Sequence, residues 1–573
     1  MRGKSFKFLL LLAALLLALG AASCGGDDDG DEGGEGTGAT DTGEAQQGGT
    51  LVFAGAADPV ALDAILVSDG ESIRVISQVF ETLVALEPGT TEPVPGLATS
   101  WEPSEDGTSW TFELREGVTF HDGTPFNAEA VCFNFDRWYN FEGSFQNPGA
   151  TYYWQVVFGG FATFDPDSGA PEESLYESCE VTDESTVVLH LTKPSATLIP
   201  ALSQQAFSIS SPTALEEFNA NEGEVDADGV FTPTGTFATE HPIGTGPFQF
   251  VSWTRGDRLV LERYDDYWGD KAILDQLIIR PISENAARLQ ALQTGEIQGY
   301  DLVEPQDIPT IEADENLQIL DRPPFNVAYV GFNISEPPLD DIEVRRAIAH
   351  GLNRQEVVDN FYGGRAEVAK EFMPPEVVGY ADDVTEYEYD PEMSRQILQD
   401  AGYELPVEIE FAFPTDVSRP YMPDPQRNFE AFAASLEESG FRVTPRSAPW
   451  SPDYLGIYQN GGYPLHLIGW TGDYGDADNF IGTFFQTPQK SWGTNKSDEM
   501  DPVQELLNEA EIETDPAARE QLYQEANRMI MEILPGVPYA HSSPALGFAA
   551  NVQGYVPSPT TNESFATVSF SDG

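Results

Sequence analysis

Basic side chains are scarce in this chain, with 28 lysines and arginines standing against 95 aspartates and glutamates for a formal charge of −67. Nucleic acid and anionic lipid surfaces both need basic patches, so neither is expected as a partner. Acids spread along the whole length instead suggest a surface suited to high salt, where counterions screen self-repulsion. Histidine is nearly as rare, six in all, and no CxxC pair accompanies the three cysteines, so no structural zinc site or other metal centre is expected. The chain also lacks GxSxG and HExxH, and it shows no short-period repeat. With so many acids, close carboxylate pairs must occur by chance, so they do not argue for a hydrolase. A secreted hydrolase is the weakest of the functional alternatives, and no cofactor is expected.

What is present begins with an export signature. Arg2, Lys4 and Lys7 precede an apolar run of fifteen residues, Phe8 to Ala22. That run falls short of the roughly 20 residues needed to span a bilayer, so residues 1–23 read as a signal peptide rather than an anchor helix. "AASC" places Cys24 after small residues and resembles a bacterial lipobox, although Ala21 stands where leucine is usual. Cys24 is therefore expected to carry lipid. Residues 24–47 then form an acidic, glycine-rich tether: Gly25 to Gly49 holds eight acids and no base. In an oxidising compartment the remaining pair, Cys132 and Cys179, is expected to form a disulfide, with two separately buried thiols as the alternative.

From Thr50 onward helical and strand patterns alternate, which implies α/β layers. In "SWTFELREGVTF", Trp110, Phe112 and Leu114 alternate with polar neighbours, as a half-buried strand requires. "PLDDIEVRRAIAHGLNRQEVVDNFYGG" reads as one helix, with acids at its start and Gly363–Gly364 after its end. "SRQILQDAGY" and "FEAFAASLEESGF" repeat the helical pattern, the latter leading into a strand, "RVTPRSA".

The stretch "PVPGLATSWEPSEDGTSWTFELREGVTFHDGTPFNAEAV" resembles the signature region of the extracellular solute-binding proteins of family 5, which serve ABC importers. "IGTGPFQFVSWTRGDRLVLERYDDYWG", "ALQTGEIQGYD", "EVRRAIAHGLNR" and "YDPEMSRQILQDAGY" resemble further family motifs, in the family's order. "RPYMPDPQR" and "GWTGDYGDADNF" are similar to the dipeptide-binding subgroup. The resemblance implies an α/β, two-lobed, periplasmic-binding-protein-like fold with a hinge and three domains. Discontinuous domain I is expected at 48–80, 207–325 and 540–573, inserted domain II at 81–206, and domain III at 326–539. It also implies a monomeric receptor, exported and lipid-anchored to the outer face of the cytoplasmic membrane or held in the periplasm. Such a receptor captures di- or short oligopeptides and delivers them to membrane-bound ABC permease subunits. Other solutes on the same fold, such as a nickel chelate, haem or an oligosaccharide, stay open, because ligand choice lives in a few residues.

By position in "WTGD", Asp473 matches the family residue that takes a ligand's amino terminus. A desolvated carboxylate suits that role, since a charge-assisted bond is stronger there than in water. Arg419 in "SRPYMPD" matches the residue that grips the carboxyl end, for which a guanidinium offers two parallel bonds. Read without the resemblance, Arg419 is a surface ion pair. Tyr421 and Trp470 are candidates for lining the same site, and Trp450 a weaker one; each is equally readable as core. The loop around Asp473 fails the EF-hand pattern, because Ile481 stands where glycine is required. Asp476 is expected to cap the following turn or helix and Asp478 to orient the loop. His121 and His466 are expected to be structural.

Overall fold

Strand-period patterning resolves into three main sheets in the computed structural model, which describes residues 45–571 apart from 167 and 226–230. The expectations placed on residues 1–44, including the signal peptide, Cys24 and most of the tether, lie outside the described residues. The first sheet has seven strands, in the order Phe248–Thr254, Arg258–Arg263, Gln276–Pro281, Thr50–Gly55, Gly299–Tyr300, Ala545–Ala549 and Leu317–Asp321. Thr50–Gly55 lies parallel to both of its neighbours, so the sheet joins an early segment to the middle of the chain and to its C-terminal part.

The second sheet has six strands, ordered Ala366–Glu367, Gly536–Ser542, Asn326–Phe332, Leu465–Thr471, Val407–Pro414 and Phe441–Ala448. All seven residues of Asn326–Phe332 are buried, as expected for a central strand covered on both faces. Val344, Leu398 and Phe432, from three helices, pack into the core around this sheet. The third sheet is antiparallel, ordered Ala98–Pro103, Ser109–Leu114, Thr186–Leu191 and Tyr176–Asp183. Phe112 and Leu114 are buried as the alternation requires, whereas Trp110 is only half-buried.

The chain passes from the first sheet to the second between Asp321 and Asn326, and returns between Ser542 and Ala545. Residues 540–542, grouped by sequence with the first lobe, therefore belong to a strand of the second sheet. The two crossings touch, the Arg322 amide donating to the Pro544 carbonyl at 3.0 Å. The Arg322 side chain is buried and bonds Asp301 at 2.6 and 2.9 Å and Glu563 at 2.5 Å; Arg74 reaches Asp301 from the other side at 2.5 Å. Burial alone would raise the Asp301 pKa, but the two arginines hold it well below the usual carboxylate range.

Cys132, on helix Ala128–Tyr139, is disulfide-bonded to Cys179 on the edge strand Tyr176–Asp183, with their Cα atoms 5.2 Å apart. The stretch read as one helix is two, Ile342–Gly351 and Arg354–Phe361. The break has a local cause: Leu352 is extended, and the Asn353 side chain accepts from the Glu356 amide, capping a new helix rather than continuing the old one.

Candidate functional site

The loop that carries Asp473 is launched by strand Leu465–Thr471, buried through Gly469 and half-buried at Trp470 and Thr471. Gly469 is required where it sits, because a Cβ there would meet the Tyr421 ring at 2.4 Å. Asn479 then closes the loop on itself. Its side-chain oxygen accepts from the Asp473 amide at 2.7 Å and from the Trp470 indole at 3.3 Å. Asp476 caps the short turn Ala477–Asn479 by accepting from the Asp478 amide, and it holds Arg519 through two bonds of 2.6 and 2.8 Å. Asp478 accepts from the Tyr474 hydroxyl at 2.9 Å. Two of the three loop aspartates are thus occupied in shaping the loop.

Asp473 is the third, and it differs. One carboxylate oxygen accepts from the Tyr153 hydroxyl at 2.8 Å, a contact across 320 residues of chain; the other has the Asn479 amide at 3.5 Å. Among the described residues no lysine or arginine pairs with it. Burial pushes its pKa up to about 6, partly offset by the bonds from Tyr153 and Asn479. A desolvated carboxylate with neutral donors and no counter-charge is strongly biased toward binding a cation. It lines a cavity together with Ile73, Ser203, Gln204 and Asn562, so the loop of the second sheet faces segments that belong with the first and third. Near it, a Cβ on Gly475 would meet the Thr91 side chain at 2.6 Å, so only glycine allows that approach.

Arg419 sits in a tight turn, exchanging backbone hydrogen bonds with Met422 at 3.1 and 2.9 Å. Its guanidinium lies over the Trp450 ring, 4.7 Å from the centroid, and no carboxylate pairs with it among the described residues. It lines a different cavity from Asp473, beside Tyr362, Arg365 and the crossing at Pro544. No hydrogen bond or ion pair joins Asp473 to Arg419 among the described residues. Tyr421 is buried, with its pKa pushed up to about 12 by desolvation. Trp470 is half-buried and packs edge-on against Phe484 at 6.1 Å. His466 is fully buried against Tyr458 and Trp492, and His121 bonds the Gly246 carbonyl at 2.9 Å; burial lowers both pKa values, to about 3 and about 4.

Residues 92–492 match the family described as bacterial extracellular solute-binding proteins, family 5 Middle. A curated relative, the dipeptide-binding protein of Escherichia coli K12, is 33% identical over 91% of this chain and 95% of its own length. The chain belongs to family 5. Heme-binding protein A of Haemophilus influenzae is 30% identical over 98% of this chain and 99% of its own. Among solved structures, an ABC transporter-associated periplasmic binding protein, DppA of Helicobacter pylori in complex with the peptide STSA, aligns with a TM-score of 0.74 at 28% identity. That alignment covers 92% of this chain and 99% of the other. The fold is therefore the two-lobed α/β arrangement of family 5 solute-binding proteins.

Sequence reasoning missed Tyr153 and Asn479, which complete the surroundings of Asp473. Tyr153 lies in a tyrosine pair inside an aromatic-rich segment, where nothing local distinguishes it from core. Asn479 carried a usable signal, since an asparagine six residues after a candidate carboxylate in a glycine-rich loop is placed to bridge the loop.

Proposed function

We propose that this family 5 protein captures di- or short oligopeptides in a cleft between its lobes and delivers them to an ABC permease. In this reading the first and third sheets carry domains I and II, the second sheet carries domain III, and the crossings near 322–325 and 543–544 act as the hinge. The observation that carries it is the Asp473 carboxylate, desolvated, bonded by neutral groups and, among the described residues, lacking a cation. A peptide's α-ammonium supplies what is missing, and Arg419, free of carboxylates, suits the opposite end. The relatives' names support peptide as the solute class. The name of the Haemophilus influenzae relative points to haem, yet His121 and His466 are committed to packing.

The reading includes export and attachment through lipid on Cys24, with no chemical step performed on the ligand. Native mass spectrometry of the purified protein should reveal a retained peptide, and added dipeptide should be recovered unchanged after incubation. A retained metal chelate or porphyrin, or a cleaved dipeptide, would overturn it. Cys24→Ser should release the body from the membrane fraction with ligand affinity intact.

A further inference from the structure

Glu511 is gripped from two sides. Its carbonyl accepts from the Ala196 amide at 2.9 Å, and its carboxylate pairs with Lys193 at 2.9 Å. A segment that follows strand Thr186–Leu191 of the third sheet thus docks on the end of helix Asp501–Ile512, whose Val503 and Leu507 belong to the core around the second sheet. Shape contributes as well as charge: a Cβ on Gly107, whose φ is +68°, would meet Pro194 at 3.1 Å and Thr514 at 3.7 Å, so the turn after strand Ala98–Pro103 lies against both. From the other side the Gln486 side chain donates to Glu511 at 2.9 Å, and Gln486 closes helix Ile481–Phe485, which begins where the Asp473 loop ends.

Arg519 makes a second link between the same two places. Its Nε donates to the carbonyl of Ala510, the neighbour of Glu511, at 3.0 Å; its two terminal nitrogens hold Asp476 at 2.6 and 2.8 Å, and one of them also reaches the Tyr523 hydroxyl at 2.7 Å. A planar guanidinium used in this way fixes orientation as well as distance, which an ammonium does not. Asp476 in turn accepts from the Asp478 amide and so sets the turn that carries Asn479, the residue that holds the Asp473 amide. We propose that Arg519 is a positioning residue for ligand binding: it ties the Asp473 loop to the helix end that the 193–197 segment grips at Glu511, so that gripping Glu511 and holding a ligand on Asp473 favour one another. Such a coupling is reciprocal. Arg519 lines neither cavity and acts through Asp476. The inference rests on the peptide-binding reading above and adds to it a residue that transmits.

The test is a double-mutant cycle read by calorimetry with the dipeptide Ala-Leu, using Lys193→Ala, Arg519→Lys and the two together. The Lys193 side chain is half exposed, so Lys193→Ala should weaken binding by about two- to fivefold. Arg519→Lys keeps the charge but gives up the fork, and should weaken binding by about tenfold, the worth of one charge-assisted hydrogen bond. In the Arg519→Lys protein the further change Lys193→Ala should lose most of its effect, because the link it acts through is already slack. An equal or larger factor in that background, as two independent structural contributions would give, overturns the proposal. So does wild-type affinity in either single variant. Should Arg519→Lys fail to fold, or Ala-Leu not bind at all, hydrogen exchange at the Asp478 amide of the ligand-free protein decides: Lys193→Ala must speed it relative to wild type, and equal rates overturn the proposal. A wild type that binds no dipeptide, yet whose Asp478 exchange responds to Lys193→Ala, defeats the peptide reading and leaves the coupling standing, so the two failures are told apart.

Discussion

The Tyr153 hydroxyl and the Asp473 carboxylate meet at 2.8 Å although 320 residues separate them, and among the described residues no lysine or arginine pairs with Asp473. The bond joins helix Tyr152–Val157 to a loop of the second sheet. It forms only when those two parts of the molecule are close. Nearby, the Ala196 amide donates to the Glu511 carbonyl at 2.9 Å, and Lys193 pairs with the Glu511 carboxylate at 2.9 Å.

The pH dependence follows from the sign of the Asp473 shift. Its folded-state pKa is raised from 3.8 to about 6, so the folded protein holds this proton more tightly than the unfolded chain does. Ionised Asp473 therefore costs stability above about pH 6, and the cost disappears below about pH 4. An ammonium ligand favours the ionised form and must expel the proton to bind. Affinity for a free dipeptide should be level between about pH 7 and 7.5, about twofold weaker at pH 6 and about tenfold weaker at pH 5, with proton release seen by calorimetry in two buffers. Asp478, raised to about 7 by burial and by the charge of Asp476, titrates nearby, so Asp478→Asn should leave this dependence in place.

Tyr153→Phe removes the bond to Asp473 while keeping the ring. The carboxylate loses one of the donors that lower its pKa, so the value should rise further and the fall in affinity should begin at a higher pH. The variant should also favour separated lobes. Small-angle scattering should show a larger radius without ligand than the wild type, and contraction on adding dipeptide. Identical radii for the two ligand-free proteins would mean that Tyr153 does not hold the lobes together.

How much was legible in advance differs by kind of contact. Strands and capping residues are local, so the alternation at Phe112 and Leu114 and the cap at Asp476 were readable from a few neighbouring positions. Asp473 and Arg419 were singled out by resemblance to the family, and periodicity alone says nothing about either. The quartet of Arg74, Asp301, Arg322 and Glu563 was not readable, because its members come from four distant segments and each looks like a surface charge in its own neighbourhood. The helix break at Leu352 and Asn353 was overlooked because apolar spacing continues through it, and the cap chemistry of Asn353 outweighs one further turn.

The disulfide closes a loop of 47 residues between helix Ala128–Tyr139 and an edge strand. By the chain-entropy argument it should stabilise that part of the protein by about 3 to 4 kcal/mol. Reduction should lower its unfolding transition in scanning calorimetry, and the native protein should resist thiol alkylation until reduced. Rapid labelling of both cysteines without reductant would rule out the bond.

The buried quartet makes a stronger claim on stability. Arg322→Leu leaves Asp301 with Arg74 alone and removes the close partner of Glu563, whose remaining contact with Arg74 is 3.9 Å. Breaking a buried pair in this way typically costs about 3 to 5 kcal/mol. Arg322 also lies on a crossing between the sheets, so the variant should alter the radius difference between ligand-free and ligand-bound protein as well as the denaturation midpoint. A midpoint within experimental error of wild type would show that the quartet contributes nothing net.

The most discriminating prediction joins Asp473 to Arg419, which line separate cavities. If one takes the ammonium and the other the carboxylate, each substitution leaves a ligand charge without its partner, at a typical cost of about 2 to 5 kcal/mol. Asp473→Ala and Arg419→Ala should each weaken dipeptide binding by roughly one and a half to three and a half decades. Ligand chemistry separates the two. N-acetylation should weaken binding to the wild type and to Arg419→Ala but change little for Asp473→Ala, whose carboxylate is already gone. C-amidation should show the opposite pattern. Since each added residue lengthens an extended peptide by about 3.3 to 3.6 Å, more than a hydrogen bond tolerates, a tripeptide should lose one of the two terms. Equal affinities for the free and acetylated dipeptide would remove Asp473 from the site, and equal affinities for the free and amidated dipeptide would return Arg419 to a stacking partner of Trp450.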